Sequence, residues 1–66
     1  MKKPKLSPRE KEVLQLIMME FSSSEIARTL NRSVRTIETI RKNIMVKTRT
    51  ANLVALVKYA LKNKLS

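Results

Sequence analysis

The chain has 66 residues, carries fifteen Lys and Arg against five Glu, and contains no Asp, His, Cys or Gly, for a formal charge of +10. That length allows one small domain burying about 60% of its chain surface, and without Cys or His it has neither disulfides nor the usual zinc ligands. So dense a positive charge is the footprint of a polyanion binder, while a single Phe and a single Tyr fall short of the stacking platforms that single strands and RNA loops require.

Residues 1–6 are basic, include Pro4 and show no periodicity, so they read as a basic tail or the end of a linker, with the domain proper at 7–66. The start MKKPK leads into no apolar stretch, and no apolar run reaches the length of a membrane span, so the expectation is a cytoplasmic protein with no membrane partner. Ser7 opens the first predicted helix, with Pro8 at the first helical position, where its missing amide costs nothing, and Glu10 closing an S-x-x-E capping box. Val13, Leu14, Ile17 and Phe21 line one face of it, and Leu16, Met18 and Met19 widen the stripe as core and core edge.

A second capping box, Ser22 with Glu25, predicts a short helix over residues 23–30 whose apolar face is Ile26, Ala27 and Leu30. Asn31 follows where the chain must reverse. Asparagine tolerates the left-handed conformation better than any residue but glycine, and the chain has no glycine. Ser33 then caps a third helix over residues 34–47, in which Ile37, Ile40 and Ile44 recur at helical spacing. The small methyl of Ala27 lets the second and third helices cross closely, with Ile37 and Ile40 filling the space beneath. Two helices so joined make a helix-turn-helix.

Asn52 caps the last predicted helix, on which Leu53, Val54, Leu56, Val57, Ala60 and Leu61 spread over more than half the circumference. A helix burying one face needs an apolar arc of only about 100°. Two readings account for the surplus: a homodimer interface including Leu53, Leu56 and Ala60, or a domain that wraps this helix more fully. The fold expected is all-α, a compact four-helix bundle with a helix-turn-helix.

If Ile37, Ile40 and Ile44 point inward, the opposite face of the third helix carries Arg35, Thr39, Lys42 and Val46, with Glu38, Asn43 and Arg49 on its flanks. Residues near the start of a recognition helix meet base edges. Lys42 has the chemistry for guanine O6 and N7, Glu38 for cytosine N4, and the Thr39 methyl for thymine. Glu38 has a second reading, in which it holds Arg41 or Lys42 through an i, i+3 or i, i+4 pair. Arg35, Thr36, Asn43 and Lys47, with Arg28 and Arg32 near the turn, are expected on phosphates, which set register without reading sequence.

The segments LSPREKEVLQLI, SSSEIARTL and SVRTIETIRKNIMVK, followed by Asn52, resemble in order and spacing the LuxR-type helix-turn-helix, the output domain of NarL/FixJ-like bacterial response regulators and of quorum-sensing activators. The resemblance runs from Leu6 to about Leu65. It implies a four-helix fold whose third helix enters the major groove of double-stranded DNA and whose fourth helix forms a homodimer contact. It also points to Glu38, Thr39 and Lys42 as base-reading positions, and to a receiver or sensor domain preceding this one, a response regulator being the closer parent. Glu20 stands where the family has glycine and is expected to turn without a positive φ. Ile40 replaces a histidine and packs inward. Thr48 and Arg49 replace Leu-Gly, and a left-handed Arg49 would cost on the order of 1 kcal/mol.

Two other function classes fit less well. Basic amphipathic helices also bind anionic lipid, but Pro4, Pro8 and the Asn31 turn break any long continuous helix here and divide the charges among short, separately capped segments. An enzyme lacks its parts: no His, Cys or Asp, no glycine-rich phosphate loop, and glutamates scattered along the chain, so no cofactor or metal is expected.

Overall fold

Serine caps open three of the four helices in the computed structural model, which describes residues 5–63. These are α1 (Pro8–Met18), α2 (Ser23–Leu30), α3 (Val34–Thr48) and α4 (Leu53–Asn63). Both expected capping boxes form. The Ser7 amide donates to Glu10 Oε1 at 2.8 Å while Ser7 Oγ accepts from the Glu10 amide at 3.2 Å, and Ser22 with Glu25 repeats these bonds and distances. Ser33 Oγ accepts from the Thr36 amide at 3.1 Å, and Asn52 Oδ1 from the Ala55 amide at 2.9 Å. Each cap satisfies a donor that the helix start leaves open.

The helix ends follow one pattern. At α1 the Phe21 amide donates to the Leu16 carbonyl and that of Glu20 to Ile17; at α2 Arg32 donates to Ala27 and Asn31 to Arg28; at α3 Thr50 donates to Met45 and Arg49 to Val46. This is the Schellman closure, which needs a left-handed residue just past the helix. Glu20 (φ 67°), Asn31 (φ 55°) and Arg49 (φ 55°) supply it. Asn31 behaves as expected. For Glu20 the expectation of a turn without positive φ is corrected: the double backbone closure demands left-handed geometry there, and the chain has no glycine to offer. Phe21 accordingly lies beyond the end of α1, folded back so that its half-buried ring packs on the core.

Leu6, Val13, Leu14, Ile17, Ile26, Ala27, Ile37, Ile44, Leu56 and Ala60 form one core, against which Ile40, Leu30 and Leu16 pack while half-buried. Burying a side chain such as Leu14, Ile26, Ile37 or Ile44 contributes about 1.5–3 kcal/mol each. Leu6 corrects the expected boundary, since it belongs to the core and not to a tail; residues 1–4 of that tail lie outside the described residues. α3 is the central element, packed on α1, α2 and α4. It runs one residue past its expected end, to Thr48, whose buried hydroxyl donates to the Ile44 carbonyl at 2.8 Å.

Candidate nucleic-acid interface

With Ile37 and Ile44 fully buried, the opposite side of α3 is open to solvent. Arg35, Thr36, Glu38, Thr39, Lys42, Asn43 and Val46 are all exposed, as are Arg28 on α2 and Arg32 in the turn. The Thr39 hydroxyl donates to the Arg35 carbonyl at 3.1 Å, so its proton is spent within the helix and its methyl is left for an apolar contact. Thr36 Oγ1 lies 2.9 Å from Ser33 Oγ at the helix cap.

Glu38 is not free on this face. Its Oε2 accepts from the Ser23 hydroxyl, and Ser23 Oγ in turn accepts from Arg41 Nη1 at 2.7 Å. The glutamate therefore reaches Arg41 through a serine of α2, and not by the direct i, i+3 pair that sequence spacing offered as one of its readings. No local pattern announces this contact, because Ser23 and Glu38 are 15 residues apart.

Lys47, expected on a phosphate, makes contacts within the fold. Its Nζ lies 2.7 Å from Glu10 Oε1 and donates to the Lys5 carbonyl at 3.4 Å, which ties the last turn of α3 to α1. Burial of Glu10 pushes its carboxyl up, but the hydrogen bond from Lys47, the Ser7 amide, the Lys47 charge and the Ser7 hydroxyl together hold it below the ordinary carboxylate range. Glu25 is likewise lowered, first by the Ser22 amide, then by the Ser22 hydroxyl and the nearby Arg28 charge. The ion pairs among the described residues join Lys47 to Glu10 and Arg9 to Glu12. Neither involves Arg28, Arg32, Arg35 or Lys42.

On α4, Leu56 and Ala60 are fully buried inside the protomer, which corrects their assignment to a dimer contact: a side chain with no exposed surface has none to give a partner. Leu53 remains 44% exposed, and Val54 and Leu61 are more exposed still. A cleft of about 530 Å³ is lined by Ile17, Met18, Phe21, Leu53 and Val57, together with Glu20, Ser22 and Arg41. Among the described residues no cluster of His, Cys, Asp or Glu could hold a metal ion, and no helix is long and apolar enough to cross a membrane.

The profile of the family described as bacterial regulatory proteins, luxR family, matches residues 4–60. The chain belongs to this family. A luxR-family domain of this kind is a DNA-binding helix-turn-helix of transcription regulators and not an enzyme. The chain is 42% identical over 60 residues to the probable transcriptional regulator ycf29 of Porphyra purpurea, covering 91% of this chain and 29% of the relative. It is 46% identical over 55 residues to the transcriptional regulatory protein RcsB of Escherichia coli K12, covering 83% of this chain and 26% of the relative. This luxR-family domain thus spans less than a third of the length of the regulators it matches.

Proposed function

We propose that the chain reads duplex DNA sequence-specifically as the output domain of a bacterial transcriptional regulator acting in the cytoplasm, with α3 in the major groove and two copies joined through α4. The observation that carries this reading is the outer face of α3, where Arg35, Thr39 and Lys42 stand exposed and no ion pair among the described residues engages the two cations. A helix of 15 residues is about 22 Å long, and a groove about 12 Å wide admits it. Lys42 donates to guanine, Glu38 accepts from cytosine and the Thr39 methyl meets thymine, each pair discriminating by about 1–3 kcal/mol. Arg35, Thr36, Asn43, Arg28 and Arg32 hold phosphates, while Lys47 stays with Glu10 as a contact of the fold.

Leu53, Val54, Val57 and Leu61 follow one another around α4 as a stripe beside the buried Leu56 and Ala60. In this reading the stripe covers its copy on a second protomer, and the dimer spans two half-sites about one helical turn apart. A receiver or sensor domain outside this chain controls the pairing, in keeping with the greater length of the relatives. The test is selection of the purified chain on randomised duplexes at about 50 and 200 mM salt, the range over which phosphate contacts lose most affinity. Enrichment of a two-fold symmetric motif is expected; failure to enrich any motif overturns the reading.

A further inference from the structure

Ser23 lies in the first turn of α2, half-buried, between two side chains of α3. The protons in this group can be arranged in one way only. A guanidinium donates and never accepts, and an ionised carboxylate accepts and never donates. With Arg41 Nη1 donating to Ser23 Oγ at 2.7 Å, the single hydroxyl proton of Ser23 goes to Glu38 Oε2. The carboxylate is thereby held through one oxygen, and among the described residues Oε1 takes no hydrogen bond and keeps its lone pairs for an incoming donor.

We propose that Ser23 is a positioning residue for base readout: from α2 it aims the Glu38 carboxylate, so that the base preference at the position facing Glu38 depends on the Ser23 hydroxyl. The proposal rests on the reading of α3 as the recognition helix. A glutamate on a DNA-binding face is repelled by phosphates and loses rotamer freedom when it is ordered. Ser23 answers both difficulties, because it orders the side chain before DNA arrives and links its charge to that of Arg41. Without the hydroxyl, Glu38 is free to swing onto Arg41 or Lys42, three and four residues on, and away from the base edge.

The test compares the unmodified chain with Ser23→Ala, Ser23→Thr, Glu38→Ala and the double variant Ser23→Ala/Glu38→Ala, each selected on randomised duplexes after its cooperative melting has been checked. Ser23→Ala is expected to relax the preference at the base pair that Glu38→Ala also relaxes, by about 2- to 12-fold, the equivalent of one net hydrogen bond. Preferences elsewhere in the motif stay unchanged, Ser23→Thr restores the lost one, and the double variant behaves as Glu38→Ala alone. If Ser23→Ala folds poorly, Ser23→Thr against Ser23→Val makes the same comparison of hydroxyl with methyl at constant shape. Retention of the preference in Ser23→Ala, or an equal loss for every sequence, overturns the role of Ser23 while leaving the DNA reading intact. If the unmodified chain enriches no motif, the recognition-helix reading falls, and the proposal with it.

Discussion

Lys47 Nζ meets Glu10 Oε1 at 2.7 Å, joining residues 37 apart in sequence and fastening the end of α3 to the start of α1. Glu10 thereby serves two contacts, since the same carboxylate closes the capping box on Ser7. A residue that local pattern explains as a cap is also a tertiary anchor.

Glu10→Gln is therefore expected to destabilise the domain by about 1–2 kcal/mol, discounted for the partial exposure of Lys47. For a domain this small that lowers the melting midpoint by about 4–8 °C per kcal/mol. Thermal melts followed by circular dichroism check it. Lys47→Ala should cost less, because it leaves the Ser7 bonds to Glu10 in place.

The same melts carry a pH dependence of defined sign. The folded-state carboxyls of Glu10 and Glu25 both titrate below their ordinary value. Their contribution is fully present above the unfolded pKa, near 4.3, and is lost as pH falls through the lower folded values. Stability should be flat from neutrality to about pH 5 and decline below it, and the difference between the parent chain and Glu10→Gln should shrink over the same acid window.

Glycine at the left-handed corners should stabilise. Relief of about 1–2 kcal/mol of steric strain, less about 0.5–1 kcal/mol of added backbone entropy in the unfolded chain, leaves roughly 0.5–1 kcal/mol for Glu20→Gly and for Arg49→Gly. Asn31→Gly should gain less, since asparagine already tolerates the conformation. The gains at positions 20 and 49, on different helix ends, should add. Chemical denaturation measures each midpoint.

Substituting Arg28 or Arg35 by Ala should weaken binding to all duplexes alike and shallow the salt slope by about one unit per contact. Lys47→Ala should leave that slope unchanged once its stability loss is allowed for. Titrations across a salt series separate the two outcomes.

On α4 the effects should divide by depth. Leu56→Ala removes a fully buried side chain and should cost about 2–5 kcal/mol. Val54→Lys and Leu61→Lys, at exposed positions, should leave the melt within about 0.5 kcal/mol. If the proposed dimer forms, sedimentation on DNA should show these two variants as monomers.

Much of this architecture was legible from local chemistry. The capping boxes at Ser7 and Ser22, the Ser33 and Asn52 caps, the Asn31 corner and the isoleucine spacing of α3 each act within a few residues, and the structure repeats them. Less legible was whatever depends on distant chain. Nothing near Lys47 indicates that Glu10 will meet it, and nothing near Glu38 indicates Ser23. Leu6 reads as tail because its core partners lie on later helices, and the wide apolar arc of α4 shows how much surface is apolar without saying which residues face inward. Leu56 and Ala60 are buried within the protomer, and Val54 and Leu61 are exposed.

A chain without glycine has a side chain at every corner. Glu20, Asn31 and Arg49 are all exposed at left-handed positions where a glycine would present bare backbone. Arg49 stands at the carbonyl end of α3, where a cation complements the helix dipole, and Glu20 borders the apolar cleft beside Leu53. Strain at these turns is thus exchanged for chemical identity: the corners carry charge and hydrogen-bonding groups, and substitution there alters the surface of the domain as well as its stability.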